Sequence, residues 1–318
     1  MKFLLNPIPI NIVLDVDTFE VIEIDEEKNL AKNYFRNSGD QYLYILYKKN
    51  YSTDIAIRDI VRCNKLKYKD IGFAGMKDKR ATTWQRITSP KQISFSSENI
   101  KIIYAGKSKK LRLGDLWGNK FIVKTIDLTD RIRELDEKFP NYYGDQRFSK
   151  TNLEIGIELL KGNLEEALNL YINKEDKKFL RHERYIRNLL KDKHSEQVWR
   201  IIPRNLSMMF IHAVQSYIFN RELDLRIENQ DYQEFISLIG YNSELNKYNS
   251  YIMEELQITK EMFKMEKLPF LKMKGDKRKM FSRIYDYKYS ESIEFSLEKG
   301  CYATVALEQM IGKKLKSN

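Results

Sequence analysis

The sequence is poor in the residues that build metal and disulfide sites. Its 318 residues include two cysteines, Cys63 and Cys301, and three histidines. No CxxC pair occurs and no two histidines stand three or four residues apart, which excludes a disulfide framework and the common zinc motifs. The GxxxxGK[ST] phosphate loop is absent as well, which argues against a phosphoryl-transfer enzyme.

Long hydrophobic runs are also missing. No stretch approaches the ~20 apolar residues that a membrane helix needs. The opening segment, MKFLLNPIPINIV, is apolar, but Asn6, Pro7 and Pro9 interrupt it and no small-residue cleavage site follows. It therefore lacks the features of a signal peptide, and we expect a soluble, cytoplasmic protein.

Positive charge is in excess. Lysine and arginine number 56 against 45 aspartates and glutamates, for a net charge of +11 and a pI near 9.2. Such a protein attracts polyanions, of which nucleic acids are the commonest, although a merely lysine-rich cytosolic protein has the same composition. Basic runs at residues 106–121 and 272–280 are each typical of a solvated surface when taken singly, but their repetition favours a polyanionic partner.

The order of local patterns predicts an α+β fold. Apolar and acidic residues alternate in residues 19–24, which is typical of a half-buried strand. Thr53 is the predicted N-cap of a helix whose apolar residues lie three and four apart. Further strands are predicted at residues 41–49, 71–74, 83–87, 100–104, 121–126 and 293–297. Neither a regular βαβ alternation nor a Gly-rich turn occurs, so we predict a largely antiparallel sheet.

Helical patterns dominate the middle of the chain, from Thr151 to about residue 268. The clearest covers residues 205–223, where an apolar stripe predicts a helix that faces a core. We therefore predict a discontinuous domain of residues 1–150 and 286–318, with a helix-rich insertion at residues 151–285.

One loop gathers charges of both signs. In GFAGMKDKRATTWQ, residues 72–85, a short strand leads to Lys77, Asp78, Lys79 and Arg80. Asp78 is expected to stay ionised, because neighbouring positive charge lowers the pKa of a carboxyl group. The cations would also attract RNA phosphates. By charge pattern alone, a solvated basic turn with weak surface ion pairs is the favoured reading.

A second segment, PNYYGDQRFS at residues 140–149, combines two tyrosines with Gly144, Gln146 and Arg147. Aromatic rings offer stacking surface, and the polar side chains offer donors for a phosphate or a base edge. The alternative, which the residues alone favour, is a turn whose aromatic rings anchor it to the core.

Five segments together resemble the TruD family of pseudouridine synthases. The loop AGMKDKRATTWQ is similar to the family pattern AGxKDxxAxTxQ, and PNYYGDQRF resembles PNYFGxQRF. The stretches FEVIE, KLRLGDLWGNKF and KGCYATVALEQM match further family elements, in the family's order, over residues 19–310. The resemblance implies an α+β catalytic domain with an inserted domain.

The resemblance also implies an activity: isomerisation of a specific uridine of tRNA, commonly uridine 13, to pseudouridine. Asp78 occupies the position of the catalytic aspartate, which acts either as a nucleophile or as a base. An isomerisation requires no cofactor, and we expect a monomer that binds tRNA. The competing hypothesis is a non-catalytic, basic RNA-binding protein in which Asp78 is structural.

Substrate-binding residues follow from the same resemblance. Tyr143 falls where the family usually has a phenylalanine that packs on the target uracil. The family's polar and basic positions that would contact the base or the phosphates correspond to these residues of the chain: Lys77, Arg80, Asn141, Gln146, Arg147 and Arg278. The chain departs from the family at Val13, where many bacterial members have lysine, and at Ser149, where glycine is common.

Overall fold

The computed structural model describes residues 1–8, 12–124, 138–148, 151–173, 185–190 and 193–315. The end of the predicted strand at residues 121–126 and the departure at Ser149 lie outside these ranges. The chain folds as two compact units. The sheet unit contains Phe3–Phe139 and Ser282–Asn318, and the helical unit contains Met1–Lys2 and Pro140–Phe281. The first segment of the sheet unit ends 11 residues before the predicted boundary at residue 150, and the second begins four residues before the predicted residue 286. The catalytic role of one unit stays a prediction.

The sheet unit is built on one large sheet. Its strands, in spatial order, are β12 (Tyr285–Tyr289), β13 (Ser292–Glu298), β7 (Gly118–Lys124), β1 (Phe19–Ile24), β5 (Thr82–Ser89), β3 (Gln41–Lys49), β6 (Ile100–Ser108) and β2 (Arg36–Asn37), with β4 (Gly72–Phe73) on β5. The β1–β5 and β2–β6 pairs are parallel, and the other pairs are antiparallel. The predicted α+β class with a mainly antiparallel sheet is confirmed.

Strand β3 shows why this sheet forms. Its side chains alternate between two faces, and both faces are covered. Tyr44 and Leu46 lie in a buried cluster with Ile57 and Ile60 of helix α1 (Thr53–Cys63). The predicted N-cap is wrong by one residue, because the Ser52 hydroxyl, and not that of Thr53, accepts the N-cap hydrogen bond, from the Ile55 amide at 3.3 Å. Helix α7 (Ala303–Ile311), which comes late in the chain, also belongs to this unit.

The helical unit packs around one long helix. It contains α2 (Asn152–Lys161), α3 (Leu164–Ile172), α4 (Ser195–Ile201), α5 (Arg204–Glu228) and α6 (Lys247–Glu255), a helical stretch at residues 185–190, and the hairpin of β9 (Phe235–Leu238) with β10 (Asp276–Lys279). Two short strands, β8 (Lys138–Pro140) and β11 (Phe281–Arg283), pair with each other.

Helix α5 includes the predicted residues 205–223 and extends them at both ends. Its stripe of Phe210, Val214 and Ile218 is fully buried, as the pattern predicted. Helix α2 approaches it so closely that a Cβ at Gly156 would lie 2.3 Å from the Phe210 carbonyl oxygen. Only glycine fits there. Among the described residues, no helix is long and apolar enough to cross a membrane.

Candidate active site

Asp78 lies in the loop that joins β4 to β5. The loop starts from a tightly packed point: a Cβ at Gly72 would meet the Leu111 carbonyl oxygen at 2.5 Å. It returns to the sheet at Thr82, whose hydroxyl donates to the Val16 carbonyl at 3.0 Å. Both ends of the loop are therefore fixed by the sheet, so that the position of Asp78 depends on the contacts of residues 74–81.

Asp78 itself is exposed. In the described part of the chain, neither a hydrogen bond nor an ion pair engages its carboxylate. Neighbouring cations do lower its pKa, as the sequence suggested, but the net direction of the shift is upward. Although the residue has exposed surface, the protein around its carboxyl group takes away part of the surrounding water, and this desolvation raises the pKa by more than the positive charges of Lys48 and Lys77 lower it. Since the residue remains open to solvent, we expect it to be ionised at neutral pH.

Lys77 does not face outward as the sequence suggested. Its ammonium lies 3.0 Å from Glu23 Oε2, and the lysine side chain is 4% exposed. Glu23 is fully buried, and its other oxygen accepts from Arg86 Nε at 2.9 Å. The predicted contact of Lys77 with substrate is therefore corrected: the side chain is turned into the sheet unit and anchors the loop. Arg80 is exposed, in agreement with a role at the surface.

Three residues that the sequence analysis did not assign to the site support the loop. The Lys48 ammonium donates to the main-chain carbonyls of Asp78, at 2.7 Å, and of Lys77, at 3.4 Å. The Thr53 hydroxyl accepts from the Lys77 amide at 3.1 Å and donates to Gln85 Oε1 at 2.9 Å. The Gln85 amide in turn donates to the Gly75 carbonyl at 3.1 Å. All three of these side chains are buried.

In the helical unit, the PNYYGDQRF segment places Tyr143 close to two guanidinium groups. The Arg278 guanidinium lies 4.2 Å from the centre of the Tyr143 ring, and that of Arg147 lies 5.4 Å from it. Phe219 of α5 meets the ring edge-on, with centroids 5.6 Å apart. Cations over an aromatic face attract its π electrons, so these contacts fix the ring in orientation.

Helix α5 also fixes the main chain at Tyr143. Asn220 accepts a hydrogen bond from the Tyr143 amide and donates one to the Tyr143 carbonyl, both at 2.9 Å. One helix turn on, Asp224 accepts from the Tyr142 hydroxyl at 2.7 Å. These roles of two polar residues of α5 were not predicted, although the sequence shows that both residues lie on a helix that also carries a core-facing stripe.

Asn141 is a second correction. It is buried, and its side chain donates to the Lys279 carbonyl at 3.1 Å and accepts from Arg278 Nη2 at 2.6 Å. Its polar groups serve the fold, so a direct contact with substrate is no longer expected. Arg278 is half-buried and links Asn141 to Tyr143, whereas Gln146 is exposed.

The predicted site residues thus divide between the two units. Lys77, Asp78 and Arg80 belong to the sheet unit, and the others belong to the helical unit. Val13, where a lysine is common in the family, supplies only a carbonyl that accepts from the Thr18 hydroxyl at 2.8 Å. No cluster of metal-binding side chains occurs among the residues that the structure describes.

Comparison with known proteins identifies one family. A model of "tRNA pseudouridine synthase D (TruD)" matches residues 7–195, 174–237 and 233–310. A "Probable tRNA pseudouridine synthase D" from Nanoarchaeum equitans is 31% identical over 86% of this chain and 87% of its own length. The protein of that name from Methanococcus maripaludis is 32% identical over 85% and 84%.

A solved structure of a TruD protein from Methanosarcina mazei has a TM-score of 0.70 and 23% identity, and the match covers 99% of this chain and 96% of that one. By its fold, the chain is an α+β protein of the pseudouridine synthase class. It belongs to the TruD family. The family predicted from five sequence segments is confirmed.

Proposed function

We propose that this protein isomerises a specific uridine of tRNA, uridine 13, to pseudouridine, with Asp78 as the catalytic carboxylate. The observation that carries the proposal is the contrast between Asp78, a residue with surface open to solvent, and the buried polar scaffold that holds its main chain. A surface ion pair would need no such scaffold. The names of the related proteins support tRNA as the substrate.

The reaction requires few groups. The bond from ribose C1′ to uracil N1 breaks, the base turns, and a bond from C1′ to C5 forms while C5 loses its proton and N1 gains one. Atoms and electrons balance within the nucleotide, so the reaction has no stoichiometric co-reactant. An ionised Asp78 can attack C1′ or remove a ribose proton, and both routes need its negative charge.

The target base must leave the RNA stack, which costs a few kcal/mol and is offset by stacking in the enzyme. Tyr143 supports that role because its ring is half-buried and held by Phe219, Arg147 and Arg278. We assign Arg147 and Arg278 to the orientation of this ring, and Arg80 and Gln146 to contact with RNA. In this proposal the sheet unit is the catalytic domain, the helical unit is the insertion, and the enzyme acts as a cytoplasmic monomer.

Replacement of Asp78 tests the assignment. Asp78→Asn keeps the shape of the side chain and removes its charge, so we expect turnover of tRNA uridine to fall by several orders of magnitude while tRNA affinity is retained. The melting temperature should not fall, because burial raises the pKa of Asp78 and the ionised carboxylate is therefore unfavourable for folding. Asp40→Asn, at another exposed carboxylate of the sheet unit, is the control. Near-normal pseudouridine formation by Asp78→Asn would show that another group is the catalyst, whereas a wild type that binds tRNA and makes no pseudouridine would be a non-catalytic RNA-binding protein.

A further inference from the structure

Lys48 occupies a position where the sheet calls for an apolar residue. It lies on β3, on the same face as Tyr44 and Leu46, which pack in the core under α1. Lys48 has no exposed surface at all. A buried ammonium group is unfavourable unless hydrogen bonds and opposite charge compensate for the water that it has lost. Its partners therefore indicate what the residue is for.

The partners of Lys48 flank one residue. Its Nζ donates to the carbonyl oxygen of Lys77 and, at 2.7 Å, to that of Asp78. These carbonyl groups are the ones immediately before and after the Asp78 Cα atom. Within the described chain, they are the hydrogen-bond acceptors of this ammonium group. Lys48 thus hydrogen-bonds to the main chain on both sides of the Asp78 Cα atom and to no other part of this loop.

Lys48 also places positive charge beside the Asp78 carboxylate. Burial lowers the pKa of Lys48 to about 8. The charge of Asp78 opposes this decrease, and the positive charge of Lys77 adds to it. The positive charge of Lys48 in turn opposes the rise that burial imposes on the pKa of Asp78. Among the other charges around the loop, Lys79 and Arg80 are exposed. Glu23 on β1 pairs with both Lys77 and Arg86 of β5.

We propose that Lys48 is a positioning residue for catalysis: its buried ammonium fixes the main chain at Asp78 and supplies the positive charge that favours the ionised carboxylate. The inference rests on the proposed function of Asp78. A purely structural role explains the residue poorly, because methionine or leucine would fill the same apolar face without a buried charge. The next residue, Lys49, shows the ordinary arrangement, with an exposed ammonium 2.7 Å from Asp17.

The test uses Lys48→Met, Lys48→Gln and, as a matched control, Lys49→Met. Conversion of tRNA uridine is followed across pH, together with tRNA affinity and melting temperature. Lys48→Met should lower kcat by roughly ten- to a hundredfold, the scale expected when a catalytic group is slightly misplaced, with tRNA affinity unchanged. Its kcat/KM should also begin to fall at a higher pH on the acid side than that of the wild type, because Asp78 has lost a neighbouring cation.

Lys48→Gln separates the two contributions, since an amide retains a donor but carries no charge. We expect the same displacement of the acid side, with a smaller loss of kcat. Lys49→Met should match the wild type in both respects. A uniform loss of rate without displacement of the acid side, or an unchanged rate, would overturn the inference. So would a failure of both Lys48 variants to fold, since the residue would then be structural. The proposed function fails separately, if the wild type makes no pseudouridine or if Asp78→Asn remains active.

Discussion

The buried charge of Lys48 should be visible in the stability of the protein as well as in its activity. The pKa of Lys48 is about 8 in the folded chain against an ordinary value of 10.5. The unfolded chain therefore holds this proton more tightly than the folded chain. Below pH 8 both forms are protonated, and Lys48 makes the folded state less stable. As the pH rises from about 8 to about 10.5, the folded state alone loses the proton and this penalty disappears.

The size of the effect follows from the gap between the two pKa values. A gap of about 2.5 corresponds to roughly 3 kcal/mol in the free energy of unfolding over the whole range. Between about pH 7 and about pH 9, the part that is recovered is about 1 kcal/mol. Lys48→Met removes the titration. The hydrogen bonds that it also removes change stability equally at both pH values, so they cancel in the comparison.

Denaturant unfolding of the wild type and of Lys48→Met at both pH values gives the required difference. The wild type should gain about 1 kcal/mol relative to Lys48→Met on going to the higher pH. Lys49→Met is the control, because the Asp17 carboxylate raises the pKa of Lys49 and that residue stays protonated in this range. A difference between wild type and Lys48→Met that does not change with pH would refute the claim that the Lys48 ammonium is destabilised by burial.

Two other substitutions examine the helical unit. Tyr143→Phe should be nearly neutral, whereas Tyr143→Ala should lose about ten- to a hundredfold in single-turnover rate, because stacking on a base is worth ~1–3 kcal/mol; a large loss in Tyr143→Phe would show that the hydroxyl takes part. Arg278→Ala should lower the single-turnover rate more than tRNA affinity, because Arg278 is engaged with Asn141 and the Tyr143 ring. A decrease of about 0.7–0.9 in the salt dependence of log affinity would instead assign Arg278 to a phosphate.

Local periodicity was sufficient to predict seven of the nine strands of the large sheet, all except β2 and β12. Strands β1 and β3 have the predicted bounds, and α5 contains the predicted stripe, because each is defined by neighbours within a few residues. The error at the N-cap of α1 has a different origin. Ser52 and Thr53 are both good capping residues, and the sequence does not distinguish them. The Thr53 hydroxyl is instead hydrogen-bonded to the Lys77 amide and to the Gln85 side chain, which lie 24 and 32 residues away in the sequence.

The candidate site was predicted less completely, for the same reason. Lys77, Asp78, Lys79 and Arg80 are adjacent in the sequence, and adjacency alone predicts that their side chains share one environment. The side chains separate instead: Lys77 turns inward to Glu23, 54 positions earlier in the chain, and Asp78 stays exposed. The pKa of Asp78 is raised because desolvation of its carboxyl group outweighs the positive charges of Lys48 and Lys77.

One signal for the support of Asp78 was nevertheless present in the sequence. Alternation along β3 puts Tyr44, Leu46 and Lys48 on one face, so a lysine ends a row of core positions. Because Lys48 stands near the end of the strand, the sequence alone predicts that its ammonium reaches solvent, as that of Lys49 does. A buried Lys48 can be distinguished from an exposed one only when the position of the Asp78 loop is known, because two carbonyl groups of that loop accept hydrogen bonds from the ammonium. A charge buried at a cost to stability is explained by the group that it serves, and here that group is Asp78, the carboxylate that we propose as catalytic.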